Sequence, residues 1–424
     1  MNNEEDNEKN LAIKAIQRKL LGKKLSYREV YAIMDEISRQ RLTDILTTYF
    51  VASSFKEGYT PDELYHFTKA MVETGSRLSF KGVVADKHSV GGIAGTRTTM
   101  IIVPIIAAAG FKIPKISSRA ITTPAGTADV MEAIADVDFT PKQITKIVDK
   151  VGGCVAWNGR LGIAPADDVI IKVEEPLSFE SFDKIIISVM AKKIGAGTNH
   201  LVLDLPYGPT AKIRHLEDAT EVAKKFQNLA SRFGIKTVVD VNEMLEPAGR
   251  GIGPILEARD VLYILEQHKD RPLKLQSKAL KLAGMLLDLC YLDDFKKKDK
   301  LSGEQEALRI LESGEALKKF REIVYAQGGD KNISCQTLKL AANRKEILSP
   351  FSGKIKYINN YNLNTVAKVL GAPADKRAGI YLLKKLDHNV DAKEPIMTFY
   401  SSDKYRIKEA EVTLKNLPVF KIEK

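Results

Sequence analysis

The run Asp86-Lys87-His88-Ser89-Val90-Gly91-Gly92-Ile93-Ala94-Gly95-Thr96-Arg97-Thr98-Thr99 is the segment best equipped to hold an anion. Its glycines let successive backbone N–H groups converge, a following helix N-terminus adds positive potential, and Lys87, Ser89 and Thr99 supply an ammonium and hydroxyls. Such a loop suits phosphate. It matches neither the P-loop pattern nor the G-x-G-x-x-G fingerprint, so a nucleoside triphosphate or dinucleotide site lacks its usual signature. An ordinary strand-to-helix turn is the plain alternative. A second run, Ser117-Ser118-Arg119-Ala120-Ile121-Thr122-Thr123-Pro124-Ala125-Gly126-Thr127-Ala128-Asp129, concentrates hydroxyls around a guanidinium. If both runs leave the ends of neighbouring parallel strands, they face one crevice. The alternative for the second is a capping turn with Arg119 in a structural ion pair.

Strands must stand behind these loops. Residues 82–85, 113–117, 154–157, 201–205 and 235–241 read as short apolar strands, separated by helical patterns such as 101–109 and 141–151. That alternation predicts a mainly parallel α/β sheet. The first 75 residues read instead as about four helices, with capping boxes at Ser26-Tyr-Arg-Glu29 and Thr60-Pro-Asp-Glu63. Their faces are set by Leu11, Ile16 and Leu20, by Val30, Ile33 and Ile37, and by Leu46, Tyr49 and Phe50. A helix over 179–194 interrupts the strand series and carries Ser188 and Lys192 on one face, four residues apart. Helices return over 254–327. A compact α+β unit follows from about 348, with strands at 354–358, 380–383 and 396–400 and a helix near 366–370.

Composition narrows the classes. The chain has 424 residues, 44% hydrophobic and 28% charged, enough apolar side chain for buried cores. The strongly apolar stretch at 100–111 is too short to span a bilayer and contains Pro104, and the N-terminus lacks the basic and apolar regions of a leader. Three scattered cysteines, Cys154, Cys290 and Cys335, fit reduced thiols in a cytoplasm. The histidines show no metal-ligand spacing, so no metal is expected. A net charge of +11 favours anionic partners. The densest lysine run, Lys296-Lys297-Lys298 with Lys300, sits among aspartates without interleaved aromatics and reads as a solvated helix end rather than a nucleic-acid surface.

Asp86-Lys-His-Ser-x-Gly-Gly92, Ile116-Ser-x-Arg119, Gly126-Thr127, Ala164-Pro-Ala-Asp167 and Ser188-Val-Met-Ala-Lys-Lys193 occur in an order and spacing that resemble the thymidine/pyrimidine-nucleoside phosphorylase family. The resemblance runs from about residue 11 to 401. Ser118-Arg-Ala-Ile-Thr122 followed by Pro124-Ala-Gly-Thr127 is similar to the branch that contains archaeal AMP phosphorylases. It implies a fold of the nucleoside phosphorylase/phosphoribosyltransferase type: a helical lobe of residues 1–74 and 161–194, an α/β phosphate-binding lobe of 75–160 and 195–345, and a C-terminal α+β domain of 346–424.

The activity implied is phosphorolysis of an N-glycosidic bond in a nucleoside 5′-monophosphate, with inorganic phosphate as co-substrate and no cofactor. By similarity Lys87, Ser89, Thr99, Ser117 and Thr127 hold the phosphate. Gly92, Ser118, Arg119, Ala120, Ile121, Thr122, Thr123, Lys172, Ser188, Lys192 and Lys212 contact the nucleotide, Lys172 standing where relatives have arginine. The leaving base needs a proton, for which Glu180, at the position of an aspartate in the AMP branch, and His88 compete. The branch's additional N-terminal domain has no counterpart ahead of the helical lobe, which leaves a homodimer as the expectation. Thymidine or pyrimidine nucleoside phosphorolysis is the alternative activity. A phosphoribosyltransferase would need diphosphate and magnesium, and lacks an obvious acidic metal pair; a non-catalytic nucleotide- or RNA-binding protein would show no turnover.

Overall fold

The chain opens with four helices, α1 (Asn2–Leu20), α2 (Tyr27–Ser38), α3 (Asp44–Ser53) and α4 (Pro61–Glu73). Both expected capping boxes form: the Ser26 hydroxyl accepts from Glu29 N and the Thr60 hydroxyl from Glu63 N, each worth about 1 kcal/mol to its helix. The α2 face Val30, Ile33 and Ile37 is buried as periodicity requires, with Met34 added. The α1 face differs. Ala12, Ala15 and Ile16 are buried while Leu20 is 46% exposed, because Lys19 turns inward to meet buried Glu63 at 2.7 Å. Glu63 also caps α4, so one carboxylate serves both helices and stays ionised despite its burial. Tyr49 is likewise 53% exposed, its neighbour Phe50 being the buried residue.

The computed structural model describes residues 2–53, 58–120, 123–174, 181–294 and 301–423. The chain divides into two units: Met1–Val84, Asn158–Asn199 and Glu221–Thr237 form one, and Ala85–Trp157, His200–Thr220 and Val238–Lys424 the other. After α4 come β1 (Ala85–Ser89), α5 (Thr99–Ala108), β2 (Ile113–Ser117), α6 (Thr127–Glu132), α7 (Pro141–Val151) and β3 (Gly153–Trp157). Helices α8 (Pro165–Glu174) and α9 (Phe182–Gly195) belong to the helical unit. The chain continues through β4 (His200–Tyr207), α10 (Leu216–Arg232), β5 (Lys236–Glu243), β6 (Gly251–Ile252) and helices α11 (Pro254–Leu265), α12 (Leu273–Tyr291), α13 (Gly303–Glu312) and α14 (Glu315–Ala326). The Lys296–Lys300 run lies outside the described residues.

Strands order as β1-β4-β5, with β1 and β4 parallel, and β2 pairs with β3, also parallel. The expected parallel sheet is thus in two pieces, joined at one edge by Ala85 N–H donating to Lys112 O at 2.8 Å. Helix α5 is buried from Thr99 through Ala107, as a helix apolar on every face must be. One strand boundary corrects the sequence expectation. The strand does not occupy 82–85 and then release the Lys-His-Ser segment as a loop; β1 begins at Ala85 and carries Asp86 to Ser89 within it. Val83 and Val84 are the better strand formers, but the parallel register pairs Asp86 with Leu201 and Ser89 with Asp204, and that ladder decides the boundary.

The C-terminal segment comprises β7 (Asn343–Leu348), β8 (Gly353–Ile358), α15 (Asn360–Val369), β9 (Gly379–Leu382), β10 (Asn389–Val390), β11 (Pro395–Ser401), α16 (Lys404–Asn416) and β12 (Phe420–Glu423). Two antiparallel sheets result, β10-β8-β12 and β6-β9-β11-β7. Short strand β6 comes from before residue 346 and zips this domain to the preceding segment. Ile380, Leu382 and Phe399 face a core closed by Leu363, Val366 and Leu370.

Candidate active site

Because side chains alternate along a strand, Lys87 and Ser89 project from one face of β1 and His88 from the other. That brings these two of the five expected phosphate ligands to Asp204 of β4. Ser89 Oγ donates to Asp204 Oδ2 at 2.9 Å, and Lys87 Nζ lies 3.4 Å from the same oxygen. Lys87 Nζ also donates to Thr98 Oγ1 at 2.8 Å. The ammonium has three N–H directions, so one has no partner among the described residues and is available to an anion.

Asp204 is the hub. Lys278 Nζ donates to its Oδ1 at 2.8 Å and to Asn242 Oδ1 at 2.6 Å, while Asn242 Nδ2 donates to Asp204 Oδ1 at 2.9 Å. Burial alone would raise this carboxyl, but Lys87 and Lys278 together hold it down to about 2. Lys87 responds oppositely: its burial, with Lys278 and Arg97 nearby, outweighs the shared carboxylate and lowers it to about 8. Two cations thus share one anion, a local surplus of positive charge that an incoming phosphate would neutralise.

Arg97 carries the network to the second loop. Its Nη1 donates to Thr127 Oγ1 at 3.0 Å, its Nη2 to Ala125 O at 2.7 Å, and its Nε to buried Glu257 at 2.8 Å. Thr99 is buried in the first turn of α5, whose N-terminus has no side-chain cap. The loop's shape depends on glycine. Gly126 lets the chain pass so close that an added Cβ would lie 2.7 Å from Arg119 C and 2.8 Å from Ala120 N. Asp129 Oδ2 accepts from Ala120 N and Gly126 N and so ties the loop's ends together.

Asn360, at the start of α15, clamps the first loop. Its Oδ1 accepts from Ala94 N at 3.2 Å and its Nδ2 donates to Gly92 O at 3.0 Å. Gly92 adopts φ +65° and passes beside Lys212, whose backbone N–H donates to Gly91 O at 3.2 Å.

Other expected residues are differently engaged. Arg119 pairs with Glu132 at 2.5 Å and lies over the Trp157 ring, its side chain still partly exposed, while Arg97 meets the loop hydroxyl. Ser117 Oγ donates to Ser118 O and Thr123 Oγ1 to Ala125 O. Ile121, Thr122 and Glu180 lie outside the described residues. In the helical unit, Ser188 and Lys192 do share a face, and both reach Asp167, at 3.0 Å and 2.6 Å. Lys172 is exposed on α8 and forms no ion pair among the described residues. Neighbouring Asp168 accepts from Asn158 at 3.1 Å, and burial raises it to about 6 against the pull of Lys192.

Residues 81–317 match the glycosyl transferase family a/b domain. The chain belongs to the glycosyl transferase family. Residues 13–75 match the same family's helical bundle domain, and 354–420 match the pyrimidine nucleoside phosphorylase C-terminal domain. Over 410 residues this glycosyl transferase is 39% identical to AMP phosphorylase 1 of Archaeoglobus fulgidus, covering 96% of this chain and 80% of that protein. It is 39% identical over 416 residues to AMP phosphorylase of Methanocaldococcus jannaschii, covering 98% and 82%. It is 40% identical over 394 residues to a putative thymidine phosphorylase of Methylococcus capsulatus, covering 92% and 74%. Among solved structures, anthranilate phosphoribosyltransferase from Thermus thermophilus superposes with a TM-score of 0.61 at 18% identity, covering 74% of this chain and 99% of that one, which is a likeness of fold.

Asp204, Lys278, Asn242, Arg97 and Asn360 escaped the sequence analysis of this glycosyl transferase. One signal was present: Asp204 interrupts the apolar run Leu201-Val-Leu-Asp-Leu205, and a carboxylate in a buried strand demands a charged partner.

Proposed function

We propose that this glycosyl transferase cleaves the N-glycosidic bond of a nucleoside 5′-monophosphate with inorganic phosphate, releasing the free base and ribose 1,5-bisphosphate. One phosphate oxygen forms the new bond to the anomeric carbon, the carbon–nitrogen bond breaks, and its electron pair leaves with the base. The observation that carries the proposal is the Lys87–Asp204–Lys278 cluster behind the glycine loop, where an anion is the missing counter-charge. Lys87, Ser89, Thr99, Ser117 and Thr127 are assigned to it. Fixed donors there align the nucleophile and require little reorganisation as the reaction proceeds. The similarity to AMP phosphorylases supports the choice of a monophosphate.

The leaving base takes its proton from Glu180 or His88, the candidates the sequence supplies. Asp168, held protonated up to about pH 6, is a third that residue spacing did not suggest. Lys172, Ser188, Lys192 and Lys212 are assigned to the nucleotide. We further assign a cytoplasmic homodimer, built on the helical unit, where Leu21 is 76% and Ile45 69% exposed. Among the described residues no helix is long and apolar enough to cross a membrane. Phosphate and nucleotide complete the reaction without a cofactor. Phosphate-dependent release of free base across AMP, CMP, UMP, thymidine and uridine tests the proposal; release from none of them would refute it. Release from thymidine and uridine alone would favour the second reading, nucleoside phosphorolysis, which the pyrimidine nucleoside phosphorylase C-terminal match supports.

A further inference from the structure

The antiparallel sheet β6-β9-β11-β7 buries one face in the C-terminal core and leaves the other polar. Ile380, Leu382 and Phe399 point to the core. Between them, Tyr381 pairs across the ladder with Thr398, Thr398 with Glu346, and Tyr400 with Arg344. These alternate residues form one wall of a cavity of about 860 Å³, within the ~300–1,000 Å³ range of small-molecule sites. None of its lining residues belongs to the phosphate cradle described above.

Its chemistry is one-sided. Seven lysines and arginines line the cavity against two carboxylates, Asp270 and Glu346. Outside the lining, Glu246 is shared between Lys274 and Lys385, and buried Asp260 faces Arg259 and Lys385; these two carboxylates reduce the difference from five to three without closing it. Lys269 and Arg344 are exposed and form no ion pair among the described residues. Buried Lys385 is lowered to about 8, and His388 is also lowered, by burial and the surrounding cations. The aromatic side is equally specific. Arg259 lies 4.3 Å above the Tyr381 ring and 5.8 Å from that of Tyr263, and its buried Nε has no hydrogen-bond partner among the described residues. Tyr381 with the guanidinium over it offers a planar ligand a surface, Tyr263 being stacked on His268 at 4.4 Å, and a buried N–H without an acceptor favours a ligand that brings an acceptor.

We infer that this cavity is a second, non-catalytic binding site for a nucleoside di- or triphosphate. The ring lies against Tyr381 and Arg259, beside the Tyr263–His268 stack, and the phosphate chain meets Arg250, Lys269 and Arg344. A single phosphate monoester carries about two negative charges, too few for this surplus of cations, whereas a polyphosphate chain matches it. A nucleic-acid strand needs a track longer than a concavity of this volume.

Calorimetric titration of the full chain with ATP, inorganic tripolyphosphate and a single-stranded RNA tests this. ATP is expected to bind at one site per chain, at least tenfold more tightly than tripolyphosphate. The pair Lys269→Gln and Arg344→Gln, both on the surface, is expected to weaken ATP at least tenfold while phosphorolysis stays within twofold. Lys87→Gln and saturating inorganic phosphate are expected to leave ATP affinity within twofold. The inference is overturned if millimolar ATP does not bind, if phosphate displaces it while the surface pair has no effect, or if RNA binds this face and ATP does not.

Discussion

Lys87 Nζ and Asp204 Oδ2 stand 3.4 Å apart with both side chains buried, and the carboxylate is divided between Lys87 and Lys278. Removing its charge leaves two buried ammonium groups without compensation. Asp204→Asn is therefore expected to destabilise the fold by about 3–5 kcal/mol, visible as a lower denaturant midpoint, and to reduce turnover at least a hundredfold. A midpoint unchanged from the parent would show that the pair does not hold these charges.

If Lys87 holds phosphate as proposed, its titration sets an alkaline limit on phosphate use. With its folded value near 8 and an ordinary value of 10.5, the native chain holds fewer protons than the unfolded chain between those limits. Stability from this group therefore rises with pH across that window, while the cation assigned to phosphate disappears. The KM for phosphate is expected to climb above pH 8 without a parallel loss of stability. Asp204 acts at the other end: its folded value is near 2 against 3.8, so its contribution is complete above about 4 and is lost as pH falls towards 2. Initial rates at varied phosphate from pH 7 to 10 check the alkaline part.

Asn360 is itself assigned no part in the reaction yet holds the first loop through Gly92 O and Ala94 N, 268 and 266 residues away in sequence. Asn360→Ala leaves both unpaired, a penalty of about 1–3 kcal/mol that falls on the loop. The expected result is a phosphate KM raised roughly tenfold, with a smaller rise in the nucleotide KM because Gly92 is also assigned to the nucleotide. Equal changes in both would indicate general loss of structure rather than loss of loop positioning.

Gly126→Ala tests the second loop. The added methyl meets backbone at Arg119 and Ala120 and cannot be accommodated by rotating a side chain. Turnover is expected to fall at least tenfold with far-ultraviolet circular dichroism unchanged; full turnover would show that loop geometry does not matter.

Local patterns were legible where chemistry and period coincide. The caps at Ser26 and Thr60, the strand Ile113–Ser117 and the helix Pro141–Val151 follow from residue type and spacing alone. So does the pairing of Ser188 and Lys192, one helical turn apart. Long-range choices were not legible. Lys278 and Asp204 are 74 residues apart, and nothing within α12 distinguishes Lys278 from Lys274 or Lys281. The guanidinium beside Thr127 comes from Arg97 in the first loop, whereas the nearer Arg119 is drawn to Glu132 and Trp157. Sequence spacing resolves neighbours along a helix or strand; which of several similar cations meets a buried acid is decided by packing.

The central claim is that orthophosphate itself attacks the sugar. With phosphate labelled by 18O at every oxygen and the most active substrate from the base-release series, mass spectrometry of the sugar phosphate is decisive. Direct attack gives a sugar 1-phosphate that keeps every labelled oxygen, the bridging one bonded to the anomeric carbon. A sugar with an unlabelled anomeric hydroxyl and no phosphate at that carbon, or base released at the same rate without phosphate, would mean that water is the nucleophile and would contradict the account.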